Sequence, residues 1–234
     1  MSASLLVIGG GSGIGLALAQ HYSALGSKVS VISRQPAANS AWHWYQDELQ
    51  HSIQTEQLLQ QALQHQPDTI FICNGVLHDA KAMPEKTIRQ LDTDILAARF
   101  ASNVQVPARY MKLLFGYLCK QPQVKLLVLS AKVGSISDNA LGGWYSYRIS
   151  KAALNMLVKN LSIEVSRLNK TAAIVSIHPG TTDTELSAPF QQNLPAGQLQ
   201  SPDATAQRLA NVAAELSAER TGFLLNWDGS TLPW

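Results

Sequence analysis

Short apolar runs alternate with longer amphipathic stretches along the 234 residues of the chain. Six of these runs are bounded by polar or turn residues, which is typical of strands buried on both faces: Leu5–Ile8, Val29–Ile32, Thr69–Cys73, Lys125–Leu129, Ala173–Ile177 and Gly222–Leu225. A further strand region lies near Trp42 and Trp44. The stretches between the runs predict helices over Ile14–Leu25, about Thr55–His65, about Leu91–Leu118, Tyr147–Leu168 and Asp203–Leu216.

Strands and helices that alternate in this way predict βαβ units. The expected fold is an α/β doubly wound parallel sheet of the Rossmann type, with helices on both faces. No Gly/Ser-rich linker or block of charge divides the chain, so residues 1–234 are predicted to form a single domain. The segment Thr181–Ser201 contains two prolines and follows a strand, which is typical of a lid or a binding loop.

Composition and charge narrow the classes of function. With 46% hydrophobic residues and a net charge of +2, the chain is not intrinsically disordered. It has no cluster of Lys and Arg, so neither nucleic acid nor an acidic membrane is predicted as a partner. The six histidines lack metal-ligand spacing, so no metal site is predicted. Cys73 and Cys119 are expected to stay reduced in a cytoplasmic protein.

A glycine-rich turn lies between the first predicted strand and the first predicted helix. Gly9, Gly13 and Gly15 follow a G-x-x-x-G-x-G spacing, which permits a tight turn and brings the backbone close to a pyrophosphate at a helix N-terminus. A glycine turn without a ligand is the alternative, and methyltransferases also carry glycines here, so the motif leaves the reaction open. The predicted cofactor-binding residues of this turn are Gly9, Gly11, Ser12, Gly13, Ile14 and Gly15.

The end of the second strand bears on the choice of cofactor. An acid at this place binds the ribose of NAD, whereas an arginine accommodates the extra phosphate of NADP. The chain has no acid here and offers the hydroxyl of Ser33 and the guanidinium of Arg34, a group suited to phosphate recognition. NADP is therefore favoured over NAD, the alternative being a surface arginine that begins a loop.

Tyr147 and Lys151 are candidates for acid–base chemistry. They stand four residues apart, so a helix places both on one face. A nearby ammonium lowers the pKa of a phenol from its ordinary value near 10, and the phenol then exchanges a proton with a carbonyl or an alcohol oxygen. The spacing alone is common by chance, and the glycine turn ahead of it makes the functional interpretation stronger.

These motifs together resemble the short-chain dehydrogenase/reductase family over nearly the whole chain. The shared features are the glycine turn, Cys73-Asn74-Gly75, Asn103, the Tyr147 and Lys151 pair, and Pro179-Gly180 followed by Thr184. Within the family, the residues 142–151 and the C-terminal Trp227-Asp228-Gly229 and Leu232-Pro233-Trp234 resemble the branch of sniffer-type carbonyl reductases and C-signal proteins.

The resemblance implies a role for each matching residue. Tyr147 is expected to donate the proton, and Lys151 to bind the nicotinamide ribose and lower the pKa of the tyrosine. Asn103 is expected to hold a water in a proton relay. The expected cofactor wall comprises Asn74, Gly75, Pro179, Gly180 and Thr184. The resemblance also implies a homodimer or homotetramer, built through the helices at Leu91–Leu118 and Tyr147–Leu168.

One departure from the family pattern concerns the catalytic serine. Its usual position, three residues before a glycine, is held by Ala131 ahead of Gly134. The alternation of side chains along a strand turns Ser130 away from the side of Ala131. Counting back about a dozen residues from Tyr147 instead reaches Ser135, which is the favoured hydroxyl donor. The alternative is a site that works with Tyr147 and Lys151 alone, and thus a weak enzyme.

Two functions from different classes are compatible with these residues. The first is an NADP(H)-dependent oxidoreductase that transfers a hydride between nicotinamide and a small carbonyl or alcohol substrate. Leu141, Trp144 and Phe190 are candidate walls of an apolar pocket, which favours an aldehyde, a ketone or a hydroxylated ring. The alternative is a cofactor-binding signalling or interaction protein with little or no turnover.

Overall fold

A computed structural model of the chain describes residues 3–48, 52–80, 82–192 and 194–234. The strands are β1 Ser4–Ile8, β2 Lys28–Ser33, β3 His43–Gln46, β4 Thr69–Ile72, β5 Lys125–Leu129, β6 Ala173–His178, β7 Thr181–Thr182, β8 Leu199–Gln200, β9 Leu224–Asn226 and β10 Thr231–Leu232. The α-helices are α1 Gly13–Ala24, α2 Ser52–Leu63, α3 Thr93–Phe100, α4 Val106–Lys120, α5 Tyr145–Leu168 and α6 Pro202–Glu215. The predicted elements are thus present, with ends displaced by at most three residues.

The central sheet has eight strands in the order β10-β9-β6-β5-β4-β1-β2-β3. All neighbours are parallel except β10, which pairs with β9 in the antiparallel sense. The chain adds β2 and β3 on one side of β1 and then returns to add β4 on the other. This reversal opens a crevice at the carboxyl ends of β1 and β4, where such sheets bind ligands. The predicted doubly wound fold is confirmed.

Side-chain alternation along the strands divides the core into two layers. In β1, Leu5 and Val7 face the layer covered by α1 and α6. Leu6 and Ile8 face the opposite layer, covered by α2, α4 and α5. Because both faces are covered, the strands need apolar residues at successive positions, which explains the continuous apolar runs in the sequence.

The single helix predicted over Leu91–Leu118 is interrupted in the structure. A π-helical turn, Ala101–Gln105, joins α3 to α4. Pro107 explains the interruption, because it has no N–H to donate to the carbonyl of Asn103 one turn earlier. The wider turn holds the side chain of Asn103 inside the protein, where it is fully buried.

The segment predicted as a lid or binding loop is mostly irregular, as expected. The short strands β7 and β8 pair with each other at its two ends and close it into a loop. β7, β8 and β10 were not predicted, because two-residue strands are too short to show a periodic pattern. Within the described part of the chain, no helix has both the length and the apolar character required to cross a membrane.

Candidate active site

The sequence motifs converge on one large cavity of about 1440 Å³ at the carboxyl ends of the parallel strands. Predicted site residues that line it are Gly9, Ser12, Gly13, Ile14, Gly15, Asn74, Gly75, Tyr147, Lys151, Pro179, Gly180 and Thr184. A second cavity of about 140 Å³ continues toward the end of β2 and is lined by the predicted residues Gly11, Ser33 and Arg34. Asn103 and Ser135 line neither cavity.

The glycine turn, residues Gly9–Gly15, forms a concave backbone surface, here called the cradle. Side chains on its glycines would fill this space. A Cβ on Gly11 would lie 2.1 Å from the Ser33 hydroxyl oxygen, and one on Gly15 would lie 2.4 Å from the Gly9 carbonyl oxygen. Gly9 has a φ of +82°, a left-handed conformation that side chains disfavour. Glycine is therefore required at these positions by backbone geometry and by close approach.

The N-terminus of α1 opens into this cradle. Ser12 holds the N-cap position, but its hydroxyl makes no capping hydrogen bond, and the first turn contains no acid. The free amide groups of a helix N-terminus attract an anion, and the Ser12 hydroxyl is available as a further donor. Thr184 lies directly across, because a Cβ on Gly13 would contact its methyl group at 3.3 Å. The geometry suits a phosphate or pyrophosphate group.

Asn74 adds a polar group that has no partner within the protein. Its backbone and side chain pack over Gly9, and its amide oxygen Oδ1 is buried without a hydrogen bond among the described residues. A buried acceptor left unpaired costs about 1–3 kcal/mol, so a donor from a ligand would satisfy it. The orphaned oxygen and the glycine cradle both fit a dinucleotide cofactor.

The smaller cavity contains a residue that the sequence analysis missed. Asp47 follows β3, is 2% exposed, and accepts a 2.7 Å hydrogen bond from the hydroxyl of Tyr110. Both residues line the cavity beside Ser33 and Arg34. An acid that directly follows a strand of a parallel sheet was the available signal, because such strand ends face the ligand crevice.

Tyr147 and Lys151 lie together at the large cavity and are almost completely buried. The Lys151 ammonium donates a 3.0 Å hydrogen bond to the Leu129 carbonyl and lies 5.8 Å from the centre of the Tyr147 ring. Burial lowers the pKa of Lys151 to about 8. Burial also raises the pKa of Tyr147 above its ordinary value. The expected lowering of the tyrosine pKa is thus not found, and the phenol is protonated at neutral pH.

Asn103 lies behind the cavity wall and connects three parts of the site. Its amide oxygen accepts from the Val76 N–H at 2.7 Å, and its amide nitrogen donates to the Val76 carbonyl and to the Ser150 hydroxyl, both at 2.9 Å. Ser150 donates in turn to the Tyr147 carbonyl. Asn103 therefore fixes the loop after β4 against α5, and its role in a water relay stays a prediction.

The structure places Ala131, and not Ser135, beside Tyr147. Ala131 packs with Tyr147 and Leu77 in one buried cluster. The Ser135 hydroxyl accepts the Asp138 N–H at 3.1 Å in a separate turn. The Ser130 hydroxyl donates to the Asn155 amide oxygen. This placement argues against the predicted role of Ser135 and leaves no hydroxyl donor at the position of Ala131.

Apolar and aromatic side chains form the remaining walls, including the three predicted for them. The rings of Trp144 and Phe190 lie 4.9 Å apart between centroids, and the Trp144 ring meets Tyr147 edge-on at 6.3 Å. His78 contacts the Phe190 ring and hydrogen bonds to the Glu185 carbonyl at 3.1 Å. Leu141 lines the cavity but is 92% exposed. The space next to Tyr147 therefore suits an apolar or aromatic group.

His178, at the end of β6, is a further residue of the cavity that the sequence analysis did not single out. Burial, together with the charges of Lys132 and Lys151, lowers its pKa to about 4, so the imidazole is neutral at physiological pH. Its ring nitrogen Nδ1 has no hydrogen-bond partner among the described residues. Across residues 3–48, 52–80, 82–192 and 194–234, no group of His, Cys, Asp and Glu is arranged to hold a metal ion.

Comparisons with known proteins agree with this geometry. The sequence profile of the short chain dehydrogenase family matches residues 3–195. A curated relative, the C-signal protein of Myxococcus xanthus, is 30% identical over 139 residues, which cover 59% of this chain and 78% of the relative. Among solved structures, the carbonyl reductase Sniffer of D. melanogaster superimposes with a TM-score of 0.85 at 22% identity, over 100% of both chains.

A second solved structure, the NADPH-bound carbonyl reductase from chicken fatty liver, gives a TM-score of 0.83 at 22% identity and also covers 100% of both chains. At this identity the two structures establish the fold, while the sequence profile establishes the family. The predicted resemblance is confirmed: the chain belongs to the short chain dehydrogenase family and is an oxidoreductase of the Rossmann type.

Proposed function

We propose that the protein is an NADP(H)-dependent oxidoreductase that reduces a carbonyl group, with Tyr147 as the proton donor. The observation that carries the proposal is the continuity of the large cavity. It joins the glycine cradle at α1 to the buried pair of Tyr147 and Lys151. The cavity that would hold a cofactor in the cradle therefore also contains a protonated phenol.

The residues of the site fit the proposed cofactor part by part. The glycine turn and Ser12 would hold the pyrophosphate at the N-terminus of α1. Ser33 and Arg34 line the smaller cavity, where they would bind the additional phosphate of NADP. Asn74 and Lys151 would bind the nicotinamide half. When bound, NADPH supplies the hydride, and the protein supplies orientation and the proton.

The chemistry of this chain centres on the phenol of Tyr147. Because its pKa is raised, the group is neutral and can donate its proton to a carbonyl oxygen as negative charge develops there. The nearby Lys151 ammonium stabilises the phenolate that remains. The Ala131 methyl group offers no second donor, so the tyrosine alone polarises the carbonyl. The apolar walls exclude water from the reacting atoms.

The proposed substrate is a small apolar aldehyde or ketone. Trp144 and Phe190 offer flat apolar surfaces next to Tyr147, and the apolar cluster continues through Leu77, Val133 and Leu186. These apolar surfaces would not compensate a charged substrate for the hydration that it loses. The names of the two similar structures, both carbonyl reductases, support this substrate class. The proposed location is the cytoplasm, where the thiols of Cys73 and Cys119 stay reduced.

We also propose a homodimer or homotetramer, with contacts that differ from those expected. The helices Leu91–Leu118 and Tyr147–Leu168 were predicted to carry these contacts, but their residues Met111, Leu114, Leu154 and Leu161 are buried within the core of the single chain. Three exposed apolar residues of α5 are instead spaced seven apart: Ile149, Met156 and Ile163 are 44%, 61% and 41% exposed. The charged substitution Met156→Glu should then convert the oligomer into monomers of about 25 kDa in sedimentation.

The proposed activity is tested by the oxidation of NADPH, followed at 340 nm, against a panel of aldehydes, ketones and quinones. Replacing Tyr147 by Phe removes the acid and should lower kcat by about 10²–10⁴-fold, the usual contribution of general acid catalysis. The affinity for NADPH should change little, because the phenylalanine keeps the ring. Equal turnover by the wild type and by Tyr147→Phe would refute the role of the tyrosine.

A second function is supported by Ala131. A chain that keeps the cofactor site but lacks the serine hydroxyl is suited to signalling or interaction through the bound cofactor, with little or no turnover. The name of the relative from Myxococcus xanthus, C-signal, supports this alternative. Titration of NADPH by fluorescence separates the two functions, because tight binding without turnover on any carbonyl favours the second.

A further inference from the structure

The segment just before α5 has an unusual backbone. Gly142, Gly143 and Trp144 have φ values of +65°, +66° and +51°, so three successive residues are left-handed. Glycine adopts this conformation freely, whereas a left-handed tryptophan is strained. The turn has a consequence for the site, because it places the indole of Trp144 against Tyr147 and Phe190.

Trp144 also stands at the N-cap of α5, where it cannot perform the usual task of that position. N-cap residues are commonly Ser, Thr, Asp or Asn, whose side-chain oxygen accepts from the exposed amides of the first turn. The side chain of Trp144 has no oxygen and makes no capping hydrogen bond. The first turn of α5, which carries Tyr147, therefore needs an acceptor from elsewhere in the chain.

Glu85 supplies this acceptor from a segment that lies about 60 residues earlier. Its carboxylate accepts from the Ser146 N–H at 3.2 Å and from the Ser146 hydroxyl. Its backbone carbonyl accepts from the Trp144 N–H at 2.5 Å. Glu85 is only 6% exposed, and no lysine or arginine of the described chain forms an ion pair with it. The partial positive charge at the N-terminus of α5 thus balances the negative charge of the Glu85 carboxylate.

The other side of the left-handed turn is held by Arg148. Its guanidinium donates to the Gly143 carbonyl at 3.1 Å and to the Val133 carbonyl at 3.2 Å. The peptide group that joins Gly143 to Trp144 is thus held at both of its polar atoms, the N–H by Glu85 and the carbonyl by Arg148. A strained conformation persists where the surrounding contacts determine it in this way, and such positions cluster at active sites.

We propose that Glu85 is a positioning residue of the active site, which caps α5 in place of Trp144 and thereby sets both the Tyr147 phenol and the Trp144 wall. The inference rests on the proposed function for its catalytic readout. It adds a residue that touches neither cofactor nor substrate, since Glu85 does not line either cavity. Its effect passes through the first turn of α5.

The test compares Glu85→Ala with Lys86→Ala, a change of the adjacent exposed side chain. A displacement of about 1 Å at a reacting group can cost about 10²-fold, so Glu85→Ala should lower kcat to that extent. The affinity for NADPH should stay within about twofold. The melting temperature should fall by only about 2–8 °C, as for the loss of one helix cap. Lys86→Ala should match the wild type in all three measurements.

Two further measurements separate positioning from a general structural role. Amide hydrogen exchange at residues 144–147 should accelerate in Glu85→Ala, while exchange in the central strands stays slow. Formate, which can occupy the space of the missing carboxylate, should restore part of kcat in Glu85→Ala, and chloride should not. Unchanged kcat in Glu85→Ala would overturn the proposal, as would unchanged exchange at residues 144–147 or equal losses of kcat and NADPH binding.

The exchange measurement also keeps this proposal distinct from the proposed function. If the wild type reduces no carbonyl, the oxidoreductase proposal fails, but faster exchange at residues 144–147 in Glu85→Ala still shows that Glu85 holds this turn. If the wild type is active and Glu85→Ala is equally active, only the positioning role fails.

Discussion

The proposed nucleotide end and the proposed substrate end of the cavity are built in different ways. At the nucleotide end, the consecutive residues Gly9–Gly15 form the cradle, and the next strand in the sheet adds Ser33 and Arg34. At the substrate end, the walls come from three distant segments around Leu77, Trp144 and Phe190. The first end follows from local backbone geometry, and the second depends on long-range contacts such as those of Glu85.

This difference determines which substitutions each end of the cavity tolerates. The cradle is defined by close approaches of the backbone, so almost any side chain added at Gly11 or Gly15 collides with it. The substrate end is defined by side chains that pack on one another, so substitutions there should alter rate and selectivity while the cofactor still binds.

Adding the missing hydroxyl should raise the rate without affecting the nucleotide end. In Ala131→Ser, a second donor reaches the carbonyl oxygen beside Tyr147, and such a donor contributes about 10²–10³-fold to kcat. Steady-state kinetics with saturating NADPH measure the change. The matched control is Ser135→Ala, which should change kcat by less than about threefold, because its hydroxyl serves a separate turn. A large loss of kcat in Ser135→Ala would instead support the role of hydroxyl donor that the sequence predicted for Ser135.

Acidification should destabilise the folded protein through His178, at the substrate end of the cavity. The folded pKa of His178 is about 4, against 6.5 for the free side chain, so the unfolded state binds more protons below pH 6.5. The free energy of unfolding should therefore be fully retained above pH 6.5 and should fall by up to about 3 kcal/mol as the pH drops to 4. Urea titrations at several pH values measure it. His178→Gln, which does not titrate, should lose this part of the pH dependence.

Removing the guanidinium of Arg34 should affect only one of the two cofactors. Arg34→Ala should weaken NADPH binding by about 1.5–3 kcal/mol, the range for a charged hydrogen bond, and leave NADH nearly unchanged. Fluorescence titration of both cofactors measures the difference, and kcat at saturating NADPH should stay near the wild-type value. If both cofactors weaken equally, Arg34 supports the loop and does not recognise the phosphate.

Raising the pH should gradually weaken cofactor binding through Lys151. Its pKa in the folded protein is about 8, so the ammonium is present at pH 7 and is lost as the pH rises above 8. The affinity for NADPH should then fall by at most about tenfold per pH unit, because one proton is involved. Lys151→Met should bind weakly and show no such dependence between pH 7 and 9.5. A flat profile in the wild type would exclude a binding role for the ammonium.

The sequence was informative where function depends on neighbouring residues. The glycine turn between β1 and α1, the Tyr147 and Lys151 pair on α5, and the parallel α/β sheet all have local signatures. Glu85 has no local signature, because its partner Ser146 is 61 residues away and the segment around Glu85 is irregular. Asp47 and His178 were also missed, since their importance arises from burial at the cavity. The role of hydroxyl donor predicted for Ser135 disagrees with the structure for a similar reason. The direction of a hydroxyl in a loop depends on tertiary contacts, which the sequence does not show.

The alanine at position 131 has a consequence at the level of the gene. Every alanine codon becomes a serine codon when its first base, guanine, is replaced by thymine. The hydroxyl that this catalytic site lacks is therefore a single point mutation away, and the neighbouring Gly134, which packs against Lys151, need not change. Random mutagenesis of the gene would sample this variant early, so selection for faster carbonyl reduction has a short path available.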